Sequence, residues 1–394
     1  FQAEDGIRDV AGCLVGSEMC IRDRMYSDRS TAAFEEIIAG AIPLIDVRSP
    51  VEFKAGAIPS AVNIPLLDDQ ERHQVGLTYR TQGKEEAFRV ADNLVDEAKR
   101  HMLSEIWCAY LQRYPDTIVY CARGGMRSAT AARWISQSSG TQVSRIEGGY
   151  KAMRTFLLSR LDPATITSRP VVVGGRTGSG KTRLLNTLAN AIDLEALANN
   201  RGSTFGRFTT PQPGQADFEN RLAAALIRHG SAGHSHLLLE DEGRHVGKRF
   251  LPKELSEFFN SGDLVVVEID FEERVENIFQ EYVIEAQKRS GELAGQSDAV
   301  QRMWHWFREM SRNLGRIAKR LGAARFEEVQ ALLESGCYHQ EENGDPQAHK
   351  HWIRLLLRHY YDPMYDYQLQ KRGKAPVLAG RESVIRQYLR SLGN

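Results

Sequence analysis

The chain has 394 residues, 42% of them hydrophobic and 26% charged, a length that exceeds one hydrophobic core and predicts two or three domains. No stretch approaches the roughly 20 consecutive apolar residues of a membrane-spanning helix, so a soluble globular protein without a membrane span is expected. Lysine plus arginine and aspartate plus glutamate number 51 each, so any nucleic-acid site must be a local patch.

The first 24 residues have the character of a non-native extension. The stretch FQAEDGIRDV and the later IRDR resemble translated sequencing adapter, which makes Met25 the expected start. The segment also lacks the basic head and the apolar core of about 7 to 15 residues that a secretory signal requires. We therefore expect no function of Cys13 or Cys20.

The five cysteines are scattered without the paired spacing of a zinc site or a disulfide framework. They are Cys13, Cys20, Cys108, Cys121 and Cys337. This pattern favours a reducing compartment, and a cytoplasmic location is expected.

Residues 25–160 are predicted to form a first α/β domain, because helical and strand patterns alternate along them. FEEIIAG predicts a helix ending at Gly40, and PLIDVR and AVNIPLL predict strands. Apolar residues at helical spacing between Lys84 and Arg113 predict one long helix or two. TIVYC predicts a buried strand that leads into a glycine-rich turn, a helix over ATAARWISQ and a last strand over VSRIEGG.

Residues 161–297 are predicted to form a second, doubly wound domain with a parallel sheet. After the linker LDPATITSRP the chain continues with the strand VVVGG and a helix over TRLLNTLANAI. HLLLED and LVVVEI have the apolar, β-branched composition of strands buried on both faces. Residues 298–394, rich in Arg, Trp and Tyr, predict a helical C-terminal appendage.

A cysteine stands between a predicted strand and a predicted helix, in the stretch Cys121-Ala-Arg-Gly-Gly-Met-Arg-Ser. Amide groups of a tight glycine turn and of a helix N-terminus converge there, and such dipoles stabilise a thiolate. The glycines permit the positive φ values of an anion nest, and the arginines add full charges. Cys121 is therefore the predicted catalytic residue, although a cysteine that merely fills the core is the alternative. The predicted anion loop comprises Arg123, Gly124, Gly125, Arg127 and Ser128.

LIDVRSPVEFKAGAIPSAVNIP at 44–65 and YCARGGMRS at 120–128 resemble the opening signature and the active-site loop of rhodanese domains. The resemblance implies that Cys121 carries a persulfide and passes a chalcogen to an acceptor, with Asp46 and Arg48 as scaffold groups. The Cys-x5-Arg spacing also occurs in dual-specificity phosphatases of the same fold. Against that reading, Tyr120 stands where those phosphatases carry histidine, and a phosphatase leaves the second domain unexplained.

A second constellation matches the G-x4-GK[ST] pattern and follows a predicted strand, the context that this motif requires. Its glycines let backbone amides wrap a diphosphate, which Lys181 neutralises, while Thr182 can ligate a metal ion such as Mg²⁺. Glu240 and Asp241 follow a strand where metal-positioning or water-positioning carboxylates are usually found; a solvated strand end is the alternative. The predicted phosphate-binding residues are Gly175, Gly178, Ser179, Gly180, Lys181 and Thr182.

The order of a rhodanese domain and a P-loop domain resembles bacterial tRNA 2-selenouridine synthases. Further similar segments are RGSTFG at 201–206, QPGQADFENRL at 212–222, EDEGRHVG at 240–247 and YYDPMYDYQL at 360–369. One departure is Gly243, where the family pattern leads us to expect serine. The resemblance implies replacement of sulfur by selenium in wobble 2-thiouridine of tRNA, with selenophosphate as selenium donor and geranyl diphosphate as the source of a geranylated intermediate.

Within that resemblance the P-loop grips the diphosphate of geranyl diphosphate. Cys121, loaded with selenium by selenophosphate, then delivers it as the geranylthiol departs. Arg201 and Ser203 are candidates to contact phosphate or the prenyl group, and Arg274 is a candidate clamp for the diphosphate. A plain structural role is the alternative for each of the three.

RNA contacts are predicted more weakly. Lys350, Arg354 and Arg358 recur every four residues on a predicted helix, so they form a basic face that could meet phosphates or simply be solvated. Tyrosines of the adjoining segment could stack on unpaired bases or pack in the core; they are Tyr360, Tyr361, Tyr365 and Tyr367.

Two other functions stay open at this level. The first is an ATP-dependent tRNA sulfurtransferase, in which the P-loop activates the base by adenylation and Cys121 delivers sulfur. The second is a nucleotide-switched binding protein whose rhodanese domain is only a scaffold; such a protein would need neither the intact cysteine loop nor the intact phosphate loop.

Overall fold

The computed structural model describes residues 26–200, 211–294 and 298–392. The chain divides into two compact units. The first comprises the chain up to Thr165 together with Gly214–Ser231, and the second comprises the remainder. In the described residues no helix combines the length and the apolarity needed to cross a membrane.

The first unit is built on a parallel sheet with the strand order β1-β5-β4-β2-β3. These strands are β1 Tyr26–Arg29, β2 Leu44–Asp46, β3 Ala61–Asn63, β4 Ile118–Tyr120 and β5 Val143–Ile146. In the register, Ile45 of β2 lies opposite Val62 on one side and Val119 on the other. The central strands β2 and β4 are entirely buried, as their apolar composition predicts.

Helices surround this sheet, with a core that includes the fully buried Trp107. They span Phe34–Ala39, Pro50–Ala55, Asp69–Gln82, Lys84–Leu94, Glu97–Arg113, Met126–Ser139, Gly149–Ser159 and Gln215–Ser231. The predicted helical stretch between Lys84 and Arg113 is two helices. The second starts because the side chain of Asp96 accepts a hydrogen bond of 2.8 Å from the amide of Lys99, which is an N-cap.

The helix Gln215–Ser231 packs in the first unit, although the sequence pattern assigns it to the second domain. Phe218 and Leu222 are fully buried in it. Asn220, also buried, donates to the carbonyl of Ala57 at 2.7 Å and accepts from Arg154 at 2.6 Å. These long-range hydrogen bonds satisfy polar groups that burial would otherwise leave unpaired.

The second unit is built on another parallel sheet, with the strand order β12-β11-β6-β8-β7. Its strands are β6 Arg169–Gly174, β7 Ala191–Ile192, β8 His236–Glu240, β11 Asp263–Val267 and β12 Leu378–Gly380. A hairpin of β9 His245–Val246 and β10 Arg249–Phe250 lies outside this sheet. The strands predicted at VVVGG, HLLLED and LVVVEI are therefore confirmed, and the architecture is α/β with parallel sheets.

The helices of the second unit end in a large C-terminal group. They span Lys181–Leu185, Leu194–Leu197, Lys253–Ser261, Phe271–Phe279, Glu285–Ala294, Ala299–Gly315, Ala318–Leu321, Ala323–Asn343, Lys350–Leu356, Asp362–Arg372 and Glu382–Ser391. Two π-helical turns, Gln280–Ile284 and Leu357–Tyr361, interrupt otherwise continuous helices.

Two sequence predictions about this unit are wrong in detail. The helix predicted over 182–192 ends at Leu185, because the chain turns and Ala191 pairs with Leu238 as part of strand β7. The C-terminal region is also more than a helical appendage, since β12 pairs in parallel with β11 and forms one edge of the sheet.

Candidate functional site

Cys121 follows strand β4 directly and precedes the helix Met126–Ser139. Its sulfur is 3% exposed and lies 3.2 Å from the hydroxyl oxygen of Ser128, which is itself fully buried. That hydroxyl also lies 3.1 Å from the carbonyl oxygen of Gly125. A hydroxyl has one proton, so Ser128 can donate either to the Gly125 carbonyl or to an ionised sulfur. The arrangement can therefore accommodate both a thiol and a thiolate.

Two glycines interlock beneath this loop. Gly124 has φ +65° and Gly149 has φ +59°, both in the left-handed region that favours glycine. A Cβ on Gly124 would lie 2.8 Å from the amide nitrogen of Gly148, and one on Gly149 would lie 2.9 Å from that of Arg123. The amide of Tyr150 donates to the Cys121 carbonyl at 2.8 Å. The backbone around the sulfur is thus fixed by close contacts that any side chain would disrupt.

The two arginines of the loop have different environments. Arg127 is half-buried and donates to Glu52 at 2.5 and 3.1 Å. Burial opposes the charge of Arg127, but the hydrogen bonds to Glu52 and its charge prevail and raise the pKa. Arg123 is exposed, and no contact in the described residues pairs it. The prediction that both arginines add free charge to the loop is wrong for Arg127, whose charge Glu52 balances.

Asp46 and Arg48 form a buried ion pair at the end of strand β2. Arg48 donates to both carboxylate oxygens of Asp46, at 3.0 and 2.6 Å, and to the carbonyl of Gly56 at 2.8 Å. The guanidinium carbon also lies 3.9 Å from the centre of the Tyr150 ring. With every one of these contacts directed at protein groups, the pair fixes the loops around Cys121, as the sequence interpretation expected.

The phosphate loop follows strand β6. Gly175, Gly178 and Gly180 have φ values of +146°, +84° and +82°, which glycine adopts readily. Lys181 donates to the carbonyl of Gly175 at 2.7 Å, so its ammonium group is held across the loop. Ser179 is buried. The helix that follows has five residues and contributes little macrodipole, so an anion here would depend on the loop amides and on Lys181.

Glu240 ends strand β8 beside this loop. Its carboxylate accepts from the Thr182 hydroxyl at 2.9 Å and lies 3.8 Å from the Lys181 nitrogen. Burial raises the pKa of Glu240, while the charge of Lys181 opposes that rise. The structure therefore brings together three residues that the sequence analysis selected separately.

Two further carboxyl groups stand next to Glu240. Oxygens of Glu195, Glu240 and Glu242 lie within 4.8 Å of one another, a grouping that could hold a metal ion. Burial, followed by the charge of Glu240, raises the pKa of Glu242 to about 7. Carboxylates and a hydroxyl are the donors that Mg²⁺ prefers, so the residues present fit this ion.

Arg274 and Asp241 have structural partners. Arg274 is 4% exposed and forms a paired contact with Asp362 at 2.7 and 2.8 Å. Asp241 accepts from Arg372 at 2.5 Å. The expectation that Arg274 clamps a diphosphate is wrong for this arrangement, because both of its terminal nitrogens bind Asp362. Arg201 and Ser203 lie outside the described residues.

The predicted RNA face is largely neutralised. Lys350 pairs with Glu276 at 2.5 Å, and Arg354 pairs with Glu272 at 2.7 Å. Tyr360 and Tyr361 are buried in the C-terminal helical core, whereas Tyr367 is 64% exposed. Of the four tyrosines considered, Tyr367 has the exposure that stacking on a base requires.

Sequence reasoning missed several residues of both sites. Glu52 stands three residues after Ser49, and the capping-box spacing Ser-x-x-Glu signals its place in a first helical turn. That spacing gives no sign of its contact with Arg127, 75 positions later. Glu195 and Asp362 likewise reach their partners through the fold alone.

The fold and the two loops define a class of protein in which a rhodanese-type cysteine domain and a P-loop domain share one chain. Residues 30–155 match the family model described as the rhodanese-like domain, and residues 168–393 match that of the tRNA 2-selenouridine synthase AAA domain. The chain belongs to the tRNA 2-selenouridine synthase family.

Similar proteins carry the same description over nearly their whole lengths. A tRNA 2-selenouridine synthase of Sulfurovum sp. is 43% identical over 91% of this chain and 97% of its own. One from Hydrogenovibrio crunogenus is 43% identical over 90% and 97%, and one from Verminephrobacter eiseniae is 41% identical over 91% and 98%.

Proposed function

We propose that the chain is a tRNA 2-selenouridine synthase, which replaces the sulfur of wobble 2-thiouridine in tRNA by selenium. The observation that carries the proposal is the pairing, in one chain of this family, of Cys121 in its glycine-locked loop with a complete phosphate loop around Lys181. A scaffold or switch would need only one of these loops. The free thiols of Cys108, Cys121 and Cys337 suit a reducing compartment, so we place the reaction in the cytoplasm.

The phosphate loop serves the first of two proposed steps. The thiouridine sulfur attacks the first carbon of geranyl diphosphate; the carbon–sulfur bond forms, the carbon–oxygen bond breaks and diphosphate leaves. Amides of the glycine loop and Lys181 stabilise the charge that develops on the leaving diphosphate. Thr182 and Glu240 would hold Mg²⁺, which when bound supplies further positive charge to that group.

Cys121 serves the second step, in which selenium replaces the geranylated sulfur. Selenophosphate carries selenium at the selenide level, so joining that selenium to Cys121 through a sulfur–selenium bond would require an oxidant. A redox-neutral route is available instead. The Cys121 thiolate attacks the base carbon, and the geranylthiol leaves with a proton.

Selenium of selenophosphate then attacks the same carbon and releases Cys121. Water finally cleaves the phosphorus–selenium bond, which yields phosphate and selenouridine. Ser128 donates to the sulfur whenever it is ionised, and the exposed Arg123 is available to the incoming anion.

An omission assay tests this function. The full chain is incubated with thiolated tRNA, selenophosphate and geranyl diphosphate, each left out in turn, and the nucleosides are identified by mass spectrometry. We expect geranylthiouridine without selenophosphate, and selenouridine only when all three are present. Modification that consumes ATP and ignores geranyl diphosphate would instead establish the sulfurtransferase alternative.

Two variants separate the steps. Lys181→Ala should abolish geranyl transfer while leaving alkylation of Cys121 unchanged. Cys121→Ser should accumulate geranylthiouridine, and full selenouridine synthesis by this variant would overturn the proposed role of Cys121. Intact mass spectrometry of the wild type distinguishes a tRNA adduct on Cys121 from a selenium adduct.

A further inference from the structure

An apolar cavity lies beside the phosphate loop in the second unit. Its empty volume is about 300 Å³, including the solvent at its mouth. Side chains of several C-terminal helices and one residue of the phosphate loop line it, among them Thr177, Ile278, Tyr282, Trp352, Leu356 and Leu357. The predominantly apolar lining favours a hydrocarbon ligand, and the volume is at the lower end of the range for small-molecule sites.

Two irregular turns form part of the wall. Tyr282 lies in the π-helical turn Gln280–Ile284, and Leu357 begins the turn Leu357–Tyr361. Each π turn interrupts a longer helix, and such turns are frequent at functional sites because they replace ordinary helical hydrogen bonding. Two of them facing one cavity is an observation independent of its composition.

The cavity adjoins the anion-binding backbone directly. Thr177 belongs to the loop between Gly175 and Gly180, and Asn277 donates to the carbonyl of Gly178 at 2.9 Å. A Cβ on Gly178 would lie 3.0 Å from Ile278, which lines the cavity. Anion-binding amides and apolar wall are therefore in van der Waals contact. A ligand that spans them must have an anionic head and an apolar tail.

A nucleoside suits this place poorly. Ribose hydroxyls and base nitrogens would be buried mainly against carbon, and an unpaired buried polar group costs about 1 to 3 kcal/mol. A hydrocarbon tail carries no such groups, and its burial stabilises the complex by about 0.8 kcal/mol per methylene.

We propose that this cavity holds the hydrocarbon tail of the diphosphate ester and sets the chain length that the enzyme accepts. The proposal rests on the proposed function, which supplies an isoprenoid diphosphate as substrate but assigns no seat to its tail. Affinity then has two separable parts, the diphosphate on the loop and the tail in the cavity.

Calorimetric titration of the full chain with geranyl diphosphate and with methyl diphosphate, which has the same head and no tail, tests this inference. We expect geranyl diphosphate to bind at least about 100-fold more tightly to the wild type, since burial of a few methylenes gives that factor. Leu357→Phe, which fills the cavity, should reduce the preference about 10-fold or more and leave methyl diphosphate binding unchanged.

Leu314→Phe is the matched control, because Leu314 is equally buried in the same helical core but does not line the cavity. Should Leu357→Phe fail to fold, Leu357→Ala is the second variant; it should shift the preference from geranyl toward farnesyl diphosphate. An unchanged preference in both Leu357 variants would overturn the cavity assignment. The tRNA geranylation assay on the same samples separates the two ideas: wild-type enzyme that never transfers the geranyl group contradicts the proposed function instead.

Discussion

The Glu52 carboxylate accepts two hydrogen bonds from the Arg127 guanidinium, 2.5 and 3.1 Å long, across 75 positions of sequence. The contact joins the first turn of the helix Pro50–Ala55 to the first turn of the helix Met126–Ser139. It therefore ties the cysteine loop to the loop that follows strand β2. Although burial opposes it, Arg127 lowers the pKa of Glu52, so the carboxylate is charged at neutral pH.

Glu52→Gln should lower the free energy of unfolding by about 1 to 2 kcal/mol, because it leaves the half-buried Arg127 without its charged partner. Urea unfolding at neutral pH measures the change. Glu86→Gln is the control: its pair with Arg89 is far more exposed, and a change of less than about 0.5 kcal/mol is expected there. Equal effects of the two substitutions would contradict the structural role given to Glu52.

Ser128→Ala should slow alkylation of Cys121 by iodoacetamide about 2- to 10-fold, since it removes one hydrogen bond to the ionised sulfur. Alkylation is followed at Cys121 by peptide mass spectrometry at fixed pH. Ser138→Ala, an exposed position of the same helix, should leave the rate unchanged. A rate that does not fall in Ser128→Ala would show that the hydroxyl does not stabilise the thiolate.

Gly149→Ala should destabilise the first unit by more than about 3 kcal/mol and abolish selenouridine synthesis, because the new Cβ would meet fixed backbone atoms of the cysteine loop. Gly140→Ala separates this effect from backbone strain. Gly140 has a similar φ of +68°, but open space surrounds its missing side chain, so we expect a loss of only about 1 kcal/mol. Thermal and urea unfolding measure both, and similar losses would refute the interlocked-glycine explanation.

His349 predicts a loss of stability in mild acid. It is fully buried, its Nδ1 accepts from the Trp352 indole at 3.0 Å, and burial lowers its pKa from 6.5 to about 4. The folded state therefore keeps this ring neutral while the unfolded chain takes up a proton. The stabilisation is fully present above pH 6.5 and is lost as the pH falls from there to about 4, by up to about 3 kcal/mol.

Urea unfolding between pH 7 and 4.5 measures that loss. His349→Gln should flatten the pH dependence, whatever its effect on stability at pH 7. His351→Gln, two residues along and exposed, should leave the slope as in the wild type. A wild-type slope in His349→Gln would mean that other groups cause the acid sensitivity.

Local patterns predicted what local physics determines. The strand before Cys121 and the glycine pattern from Gly175 to Thr182 each depend on a few neighbouring residues, and both are where the sequence indicates. Cys121 and Lys181 could therefore be selected as site residues from the sequence.

The errors have one physical origin, which is long-range pairing. Arg127 and Arg274 looked like free cations because their partners, Glu52 and Asp362, are 75 and 88 positions away. The helix predicted after Lys181 ended early because Ala191 pairs with a strand that lies more than 40 positions further on. No periodicity within a window of a dozen residues carries such information.

The packing of Gln215–Ser231 into the first unit bears on how the protein is made. The ribosome releases strands β1 to β5 well before this helix, so the nascent first unit must wait, with Asn220's acceptor on Ala57 unfilled, until residue 231 has emerged. The sheet of the second unit waits longer still, because β12 lies within the last twenty residues of the chain. Early translational stalling or a nonsense codon near the 3′ end would therefore leave an apolar sheet edge for chaperones and proteases to find.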